Sequence, residues 1–192
     1  MNRRRFAIFL LFLGFSGPAR VAVADEAAKA WNALRAGGHV ALMRHADAPG
    51  GVGDPPGFRV EDCATQRNLS PKGRTDAETI GSRLKQEGIA FDTILSSPWC
   101  RCVDTATLVD AGAVQIEPNF ANAFVLSEQR AALREGGRAL LARWRGPGVL
   151  LVVTHGENIA ALTGASPAPA EIVVVAAADD AALRVIGSIP AR

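Results

Sequence analysis

The sequence predicts a three-layer α/β domain with a mostly parallel central sheet. Short apolar stretches typical of strands alternate along the chain with longer segments of helical spacing, which is the pattern of a parallel sheet covered by helices. The stretch at 148–153 (GVLLVV) has no polar side chain, as expected of a central strand buried on both faces. Because ligands of such sheets bind beyond the carboxyl ends of the strands, functional residues are expected there.

The first 24 residues have the organisation of a secretory signal peptide. Arginines at positions 3–5 are followed by an apolar run of ten residues and by the small-residue pattern Ala22-Val23-Ala24, the order that precedes signal cleavage. The apolar run is too short for a membrane-spanning helix, which needs about 20 residues. We therefore predict a signal peptide over residues 1–24, one domain over residues 25–192, and a periplasmic or secreted protein without stable membrane insertion after cleavage.

Removal of this leader changes the charge balance of the protein. The full chain carries a net charge of +2, and loss of the four leader arginines makes it −2. No basic surplus then remains to attract nucleic acid or an anionic membrane surface. We therefore expect no nucleic-acid partner; the expected partner, from the site residues described below, is a small phosphorylated substrate.

Local signals mark the predicted elements. Ser70-Pro71 and Ser97-Pro98 each place a capping residue before a proline, which is typical of a helix start, and the Gly-Gly pair at 37–38 ends the first helix. The predicted helices cover residues 25–36, 71–87, 98–109, 128–144 and 158–162. The predicted strands cover residues 39–44, 91–95, 114–116, 148–153, 172–177 and 183–186. Residues 46–68 show no period, and so long an irregular loop is usually functional.

Three of the predicted strands lead into polar, reactive residues. The first ends at Arg44-His45, the second leads to Arg101, and the fourth ends at His155. Because the carboxyl ends of parallel strands meet at one edge of a sheet, these side chains are expected to converge. A single histidine at a strand end is more often structural, and His39 is interpreted in this way. The convergence is what indicates function.

The converging residues suit phosphoryl transfer. A neutral imidazole such as that of His45 can attack phosphorus and carry the phosphoryl group as a covalent intermediate. Arg44 and Arg101 provide guanidinium groups that match the oxygens of phosphate, and these cations oppose protonation of the histidine. We therefore predict His45 as the nucleophile, with Arg44, Arg101 and His155 as the phosphate pocket.

Four motifs resemble those of the histidine phosphatase, or phosphoglycerate mutase-like, superfamily. They are LMRHA (42–46), NLSPKG (68–73), LSSPWCRCVDTA (95–106) and VVTHGENIAALTG (152–164). The resemblance covers most of the predicted domain and implies the phosphoglycerate mutase-like fold. It also implies that His45 takes the phosphoryl group in a pocket of Arg44, Arg101 and His155. The stretch at 53–70 is similar to small secreted bacterial members of the superfamily.

Two departures from the family pattern bear on the chemistry. Ala46 stands where the family usually has Gly; alanine also occurs in the phosphohistidine-phosphatase branch, and it makes mutase chemistry less expected. The proton donor is the second point. Glu128 stands in a place comparable to the glutamate of mutase-like members, and Asp47 and Glu157 are competing candidates. The sequence leaves this choice open.

The three cysteines permit one disulfide and one free thiol in an oxidising compartment. We predict that Cys63 pairs with Cys100 or Cys102. Cys100 is preferred because the family usually has a small buried alanine at the position of Cys102. Such a bridge would tie the long loop to the helix that carries Arg101.

Two other functions compete with the phosphatase prediction. A metal hydrolase is disfavoured because His39 and His45 would lie about 20 Å apart on one strand and no metal-binding His pair occurs; no metal or cofactor is expected. The alternative is a non-catalytic phosphate-ligand binding domain of the same fold, which would have no need of the nucleophile His45. We therefore predict a phosphomonoester hydrolase that acts through a phosphohistidine on an extracytoplasmic phosphate monoester.

Overall fold

The computed structural model describes residues 18–51, 53–177 and 182–192. The basic and apolar parts of the predicted signal peptide lie outside these ranges. Helix α1 spans Pro18–Ala36, so it runs without a break through the predicted cleavage point between Ala24 and Asp25. Cleavage there remains a prediction. In the part of the chain that the structure describes, no helix is both long and apolar enough to cross a membrane.

The described residues form one six-stranded sheet in the order β3-β2-β4-β1-β5-β6. The strands are β1 (Val40–Arg44), β2 (Phe91–Ser96), β3 (Val114–Ile116), β4 (Val149–Thr154), β5 (Ile172–Ala177) and β6 (Leu183–Ile189). Strands β1 to β4 pair in parallel, whereas β5 is antiparallel to both of its neighbours. The predicted mostly parallel sheet is confirmed.

Helices cover both faces of this sheet and create two apolar cores. Besides α1 the helices are α2 (Pro71–Gln86), α3 (Cys100–Val109), α4 (Arg130–Ala142) and α5 (Gly156–Thr163). Residues alternate across each strand, so Ala41 and Met43 of β1 join the core under α1, α2 and α3. Val40 and Leu42 join the core under α4 and α5. The fold therefore has the three predicted layers.

Strand β4 occupies the centre of the sheet, between β2 and β1. All six of its residues are buried, which confirms the prediction made from its apolar composition. Its carboxyl end carries Thr154, which lies beside Arg44 of β1 in the parallel register. The ends of β1 and β4 are thereby brought side by side at one edge of the sheet.

Two predicted helix starts differ in outcome. Helix α2 begins as predicted, with Pro71 first and the Ser70 hydroxyl accepting a hydrogen bond from the Gly73 amide. Ser97 was expected to cap α3, but that helix begins three residues later at Cys100, after a residue that makes no side-chain cap. The prediction was wrong because the Ser97 hydroxyl instead contacts the ring of His155, at 2.9 Å.

Helix α4 is shorter than the predicted segment 128–144. A separate 3-10 turn covers Ser127–Gln129, and the α-helix runs only from Arg130 to Ala142. Glu128 therefore lies in the turn before α4 and not in its first helical turn.

Candidate active site

The ends of β1 and β4 hold two histidines against one another. The His45 amide donates to the Thr154 carbonyl at 2.9 Å, and the rings of His45 and His155 lie edge to face with centroids 5.4 Å apart. Both residues line a cavity of about 430 Å³ together with Arg44 and Arg101. The structure thus brings together the four residues that the sequence predicts as nucleophile and phosphate pocket.

His45 is a neutral imidazole in a fixed orientation. Its Nδ1 lies 2.8 Å from the Ala46 carbonyl oxygen, and because a carbonyl only accepts, Nδ1 carries the proton and Nε2 keeps its lone pair. Burial lowers the pKa of His45 to about 3, and the nearby charges of Arg101 and Arg44 act in the same direction against the Ala46 hydrogen bond. The unprotonated nitrogen required for attack on phosphorus is therefore present at neutral pH.

Thr105 fixes the backbone directly after the nucleophile. Its hydroxyl accepts a hydrogen bond from the Ala46 amide at 3.0 Å and donates one to the Arg101 carbonyl at 2.7 Å. Ala46 itself is fully buried. The threonine of the α3 motif thus connects the turn that follows His45 to the residue that carries the buried arginine.

Arg44 and Arg101 each present a buried donor without a protein partner. Arg44 donates from Nη1 to the Pro167 carbonyl at 2.9 Å, but its Nε has no hydrogen-bond partner among the described residues, and the same holds for Nε of Arg101. A buried donor left without an acceptor costs about 1–3 kcal/mol. Both residues line the cavity, and their positive charge favours an anion there.

Asp54 determines how Arg101 is held. The two side chains are fully buried and joined by two hydrogen bonds, Nη1 to Oδ1 at 2.7 Å and Nη2 to Oδ2 at 3.3 Å. Trp99 donates from its indole to the same carboxylate at 2.9 Å. Burial acts to raise the pKa of Asp54, but the hydrogen bonds from Arg101 and the Arg67 amide outweigh it and the pKa is lowered. Asp54 is therefore ionised and fixes the guanidinium.

Arg67 adds a third guanidinium to the cavity wall. Its side chain donates to the Gly53 carbonyl at 2.9 Å and to the Ala48 carbonyl. Burial lowers the pKa of Arg67, and the neighbouring charge of Arg101 lowers it further. Three guanidinium groups line one cavity, and Asp54 neutralises the charge of only one of them. The site therefore favours an anion.

His155 is held by polar contacts of its Nε2 and by aromatic contacts of its ring. Its Nε2 lies 2.9 Å from the Ser97 hydroxyl and 3.6 Å from the Cys102 sulfur, and Trp99 packs edge to face on the ring at 5.6 Å. Nδ1 has no partner in the part of the chain that the structure describes. Burial, followed by the field of His45 and the arginines, lowers the pKa of His155 well below its usual value.

The three candidate proton donors lie in different places. Glu157, half-exposed in the first turn of α5, lines the His45 cavity. Asp47 does not line it and instead accepts a 2.5 Å hydrogen bond from Ser70 at the start of α2. Glu128 is exposed and lines a neighbouring cavity along α4. The structure therefore does not bring Glu128 to the nucleophile, because the turn that carries it stands outside the site, before α4.

The long loop is tied to α3 near Arg101. Cys63 and Cys100 form a disulfide, and the Gln66 side chain accepts a hydrogen bond from the Cys100 amide at 3.0 Å. The preference for Cys100 is confirmed. Cys102 is a buried free thiol, and burial raises its pKa to about 12, so it stays protonated and unreactive.

Three residues that contribute to this site were not predicted from the sequence. Asp54 and Arg67 belong to the loop at 46–68, where no period or motif sets them apart. Asn122, which also lines the cavity, follows a short 3-10 turn. In the ranges described, no group of three or more His, Cys, Asp or Glu side chains is placed to hold a metal ion.

Comparison with known proteins relates this geometry to a family. Residues 40–125 match the model of the histidine phosphatase superfamily (branch 1). Among curated proteins, no sequence matches the chain.

Several solved structures have the same fold. The protein histidine phosphatase SixA in complex with tungstate has a TM-score of 0.57 at 18% identity, covering 80% of this chain and 97% of that one. A mycobacterial glucosyl-3-phosphoglycerate phosphatase in complex with VO3 has a TM-score of 0.55 at 16% identity, with 77% and 96% covered. The phosphoserine phosphatase of Entamoeba histolytica has a TM-score of 0.55 at 14% identity, with 78% and 95% covered.

The family match and the site agree on the same residues. The matched region contains Arg44, His45 and Arg101 in the order in which the motifs occur, and the sheet adds His155 from β4. Over residues 40–125 the chain therefore matches the histidine phosphatase superfamily, and this match together with the site residues identifies it as a phosphatase.

Proposed function

We propose that this phosphatase hydrolyses an extracytoplasmic phosphate monoester through a phosphohistidine formed on His45. The observation that carries the proposal is the neutral imidazole of His45 in a cavity that is also lined by Arg44, Arg67 and Arg101. A neutral nitrogen is the form that attacks phosphorus, and guanidinium groups stabilise the charge on the oxygens of the transferred group.

The first half of the reaction transfers the phosphoryl group to the enzyme. The lone pair on Nε2 of His45 forms a bond to phosphorus while the ester P–O bond breaks. The leaving alkoxide takes a proton, for which Glu157 is the candidate because it lines the same cavity. The products are a free alcohol and a phosphohistidine.

The second half restores the enzyme. A water molecule attacks phosphorus and the N–P bond breaks, which returns the lone pair to Nε2. Glu157, now ionised, takes the proton that the water loses, and inorganic phosphate leaves. One residue thus acts first as acid and then as base.

Arg44 and Arg101 supply the electrostatic part of catalysis. Their guanidinium groups line the cavity, and their positive charge stabilises the equatorial oxygens, whose charge and geometry change in the transition state. Arg101 cannot reorient easily because Asp54 holds its two Nη nitrogens. Such preorganised donors stabilise the transition state without further rearrangement.

The extracytoplasmic location rests on two features of the chain. The predicted signal peptide directs export, and the Cys63–Cys100 disulfide is of a kind that persists in oxidising compartments. The structural neighbours named above are phosphatases, two of them with small phosphorylated substrates in their names, which supports a small phosphorylated substrate for this chain.

A panel assay tests the function. The protein lacking residues 1–24 is incubated with phosphate monoesters and, as the control class, phosphate diesters, and release of inorganic phosphate is measured. We expect release from monoesters and none from diesters. Binding of monoesters without release would instead support a non-catalytic domain of the same fold. Intact-mass measurement of the exported protein tests the location, since a mass that retains residues 1–24 would contradict cleavage.

A further inference from the structure

An exposed aromatic ring stands at the mouth of the catalytic cavity. Among the described residues, the large hydrophobic side chains that stay exposed are Ile116, Phe124 and Val185. Of these, Phe124 is the one that lines the cavity of His45, and it is 48% exposed. Exposed apolar surface beside a binding cleft is characteristic of ligand contact.

The backbone that carries Phe124 is firmly held. The Asn122 side-chain oxygen accepts hydrogen bonds from the amides of Phe124 at 3.1 Å and of Val125 at 3.4 Å. Asn158 of α5 accepts from the Ala123 amide at 3.2 Å and donates to the Ala121 carbonyl at 2.7 Å. Because α5 directly follows His155, the position of the aromatic residue is fixed relative to the catalytic histidines.

The ring faces the loop that supports Arg101. A Cβ placed on Gly53 would lie 3.7 Å from Cε1 of Phe124, so the glycine backbone approaches the edge of the ring. The next residue is Asp54, which holds Arg101. Phe124 and the Gly53 backbone therefore lie side by side in the wall of the cavity.

The cavity is larger than the phosphoryl group requires. Its volume of about 430 Å³ falls in the range of roughly 300–1,000 Å³ for small-molecule sites. Besides the arginines, the histidines and Glu157, its wall is apolar at Phe124, Ala160 and Pro167 and polar at Asn122 and Ser166. A flat aromatic surface beside a few hydrogen-bonding groups suits a ring that has one apolar face and a polar edge.

We propose that Phe124 is a specificity-determining platform for the leaving group. The preferred monoester carries a six-membered ring, aryl or pyranose, joined to the phosphate oxygen, and the apolar face of that ring packs on Phe124 while the phosphorus lies at His45. This inference rests on the proposed function and extends it to the alcohol part of the substrate.

The test compares ring-bearing and ringless substrates. The ratio of kcat/KM for phenyl phosphate, and separately for glucose 1-phosphate, to kcat/KM for glycerol 3-phosphate is measured for the wild type and three variants. Because each ratio is taken within one enzyme, the intrinsic reactivity of the substrates cancels between variants. Phe124→Ala should lower the ratio by about tenfold, whereas Phe124→Trp, which restores a flat ring, should retain it.

Ile116→Ala is the matched control, since it removes an exposed apolar side chain that does not line the cavity; its ratios should equal those of the wild type.

A fall of the Phe124→Ala ratio for phenyl phosphate alone assigns an aryl leaving group, a fall for the sugar alone assigns a pyranose, and a fall for both supports the shared platform. Phe124→Ala ratios within about twofold of wild type for both substrates would overturn the inference. That result, with phosphohistidine still formed on His45, would leave the proposed function intact. A wild type that hydrolyses other monoesters but neither ring-bearing substrate would overturn the inference alone, and one that hydrolyses no monoester of the panel would overturn both.

Discussion

Asp54 and Arg101 form a fully buried ion pair with two hydrogen bonds. The two residues come from the irregular loop and from α3, 47 positions apart. A buried pair needs good geometry and further hydrogen bonds to offset desolvation, and here the Trp99 indole supplies one of them. The pair occupies two nitrogens of Arg101, while its Nε has no hydrogen-bond partner among the described residues.

This pair predicts that Asp54→Asn lowers both stability and turnover. Asparagine keeps the volume but leaves the Arg101 charge buried without a counter-charge, a change that costs about 3–5 kcal/mol. Denaturant unfolding should show this loss, and kcat should fall more than KM rises because Arg101 is no longer fixed for the transition state. Glu61→Gln, an exposed carboxylate on the same loop, should change the free energy of unfolding by less than about 1 kcal/mol. Equal effects of the two substitutions would contradict the positioning role of Asp54.

The proton donor is tested by a pair of conservative substitutions. Glu157→Gln should lower kcat by about 10²–10⁴-fold for substrates with poor leaving groups, since it removes the acid near the ester oxygen. The loss should be smaller for 4-nitrophenyl phosphate, whose leaving group needs little protonation. Glu128→Gln should leave kcat near that of the wild type, because Glu128 lines another cavity. The reverse ranking would identify Glu128 as the donor.

The depressed pKa of His45 predicts a loss of stability in acid. The folded pKa is about 3, whereas the unfolded value is about 6.5, so between these pH values the unfolded chain binds the extra proton. The free energy of unfolding should therefore fall as pH drops below about 6.5, by up to about 1.4 kcal/mol per pH unit for this group. His45→Gln removes this titrating group and should make the dependence less steep, while His155, whose pKa is also lowered, keeps its own contribution. Identical pH slopes for the ligand-free wild type and this variant would show that His45 is not the cause.

The disulfide predicts that reduction affects stability and the site together. In the chain-entropy model, a bridge over 37 positions contributes about 3–4 kcal/mol. Cys63→Ser should lose that amount, as measured by denaturant unfolding, and should weaken substrate binding because the loop also carries Arg67. The dithiothreitol-treated wild type should behave in the same way. Cys63→Ser with unchanged stability and KM would mean that the hydrogen bonds of the loop suffice to hold it.

Much of the fold could be predicted because its signals are local. The apolar run of β4 and the Ser70-Pro71 start of α2 are consequences of nearby residues, and both are found as predicted. The start of α3 was misplaced because the Ser97 hydroxyl bonds to His155, 58 positions away. A contact of that range cannot be inferred from the residues next to it.

The residues of the candidate site could also be predicted only in part. His45 and His155 could be predicted to meet because parallel strands end at one edge of a sheet. Asp54 and Arg67 could not, since a loop without a period gives no indication of which side chains turn inward. Glu128 was predicted from its separation from the α3 motif along the chain. That separation does not determine whether the turn before α4, which carries Glu128, lies against His45.

Detection of the phosphohistidine on His45 is the most direct test of the proposed mechanism. Brief reaction with a labelled monoester, followed by quenching without acid, should trap phosphate on the protein in a form that is stable to alkali and lost in acid, as a phosphoramidate is, and peptide mapping should locate it at His45. His45→Ala, with its fold checked by thermal unfolding, should show neither label nor turnover, because no neighbouring side chain can replace the attacking nitrogen. Full turnover by His45→Ala, or rapid turnover by the wild type with no trapped phosphate, would contradict the mechanism.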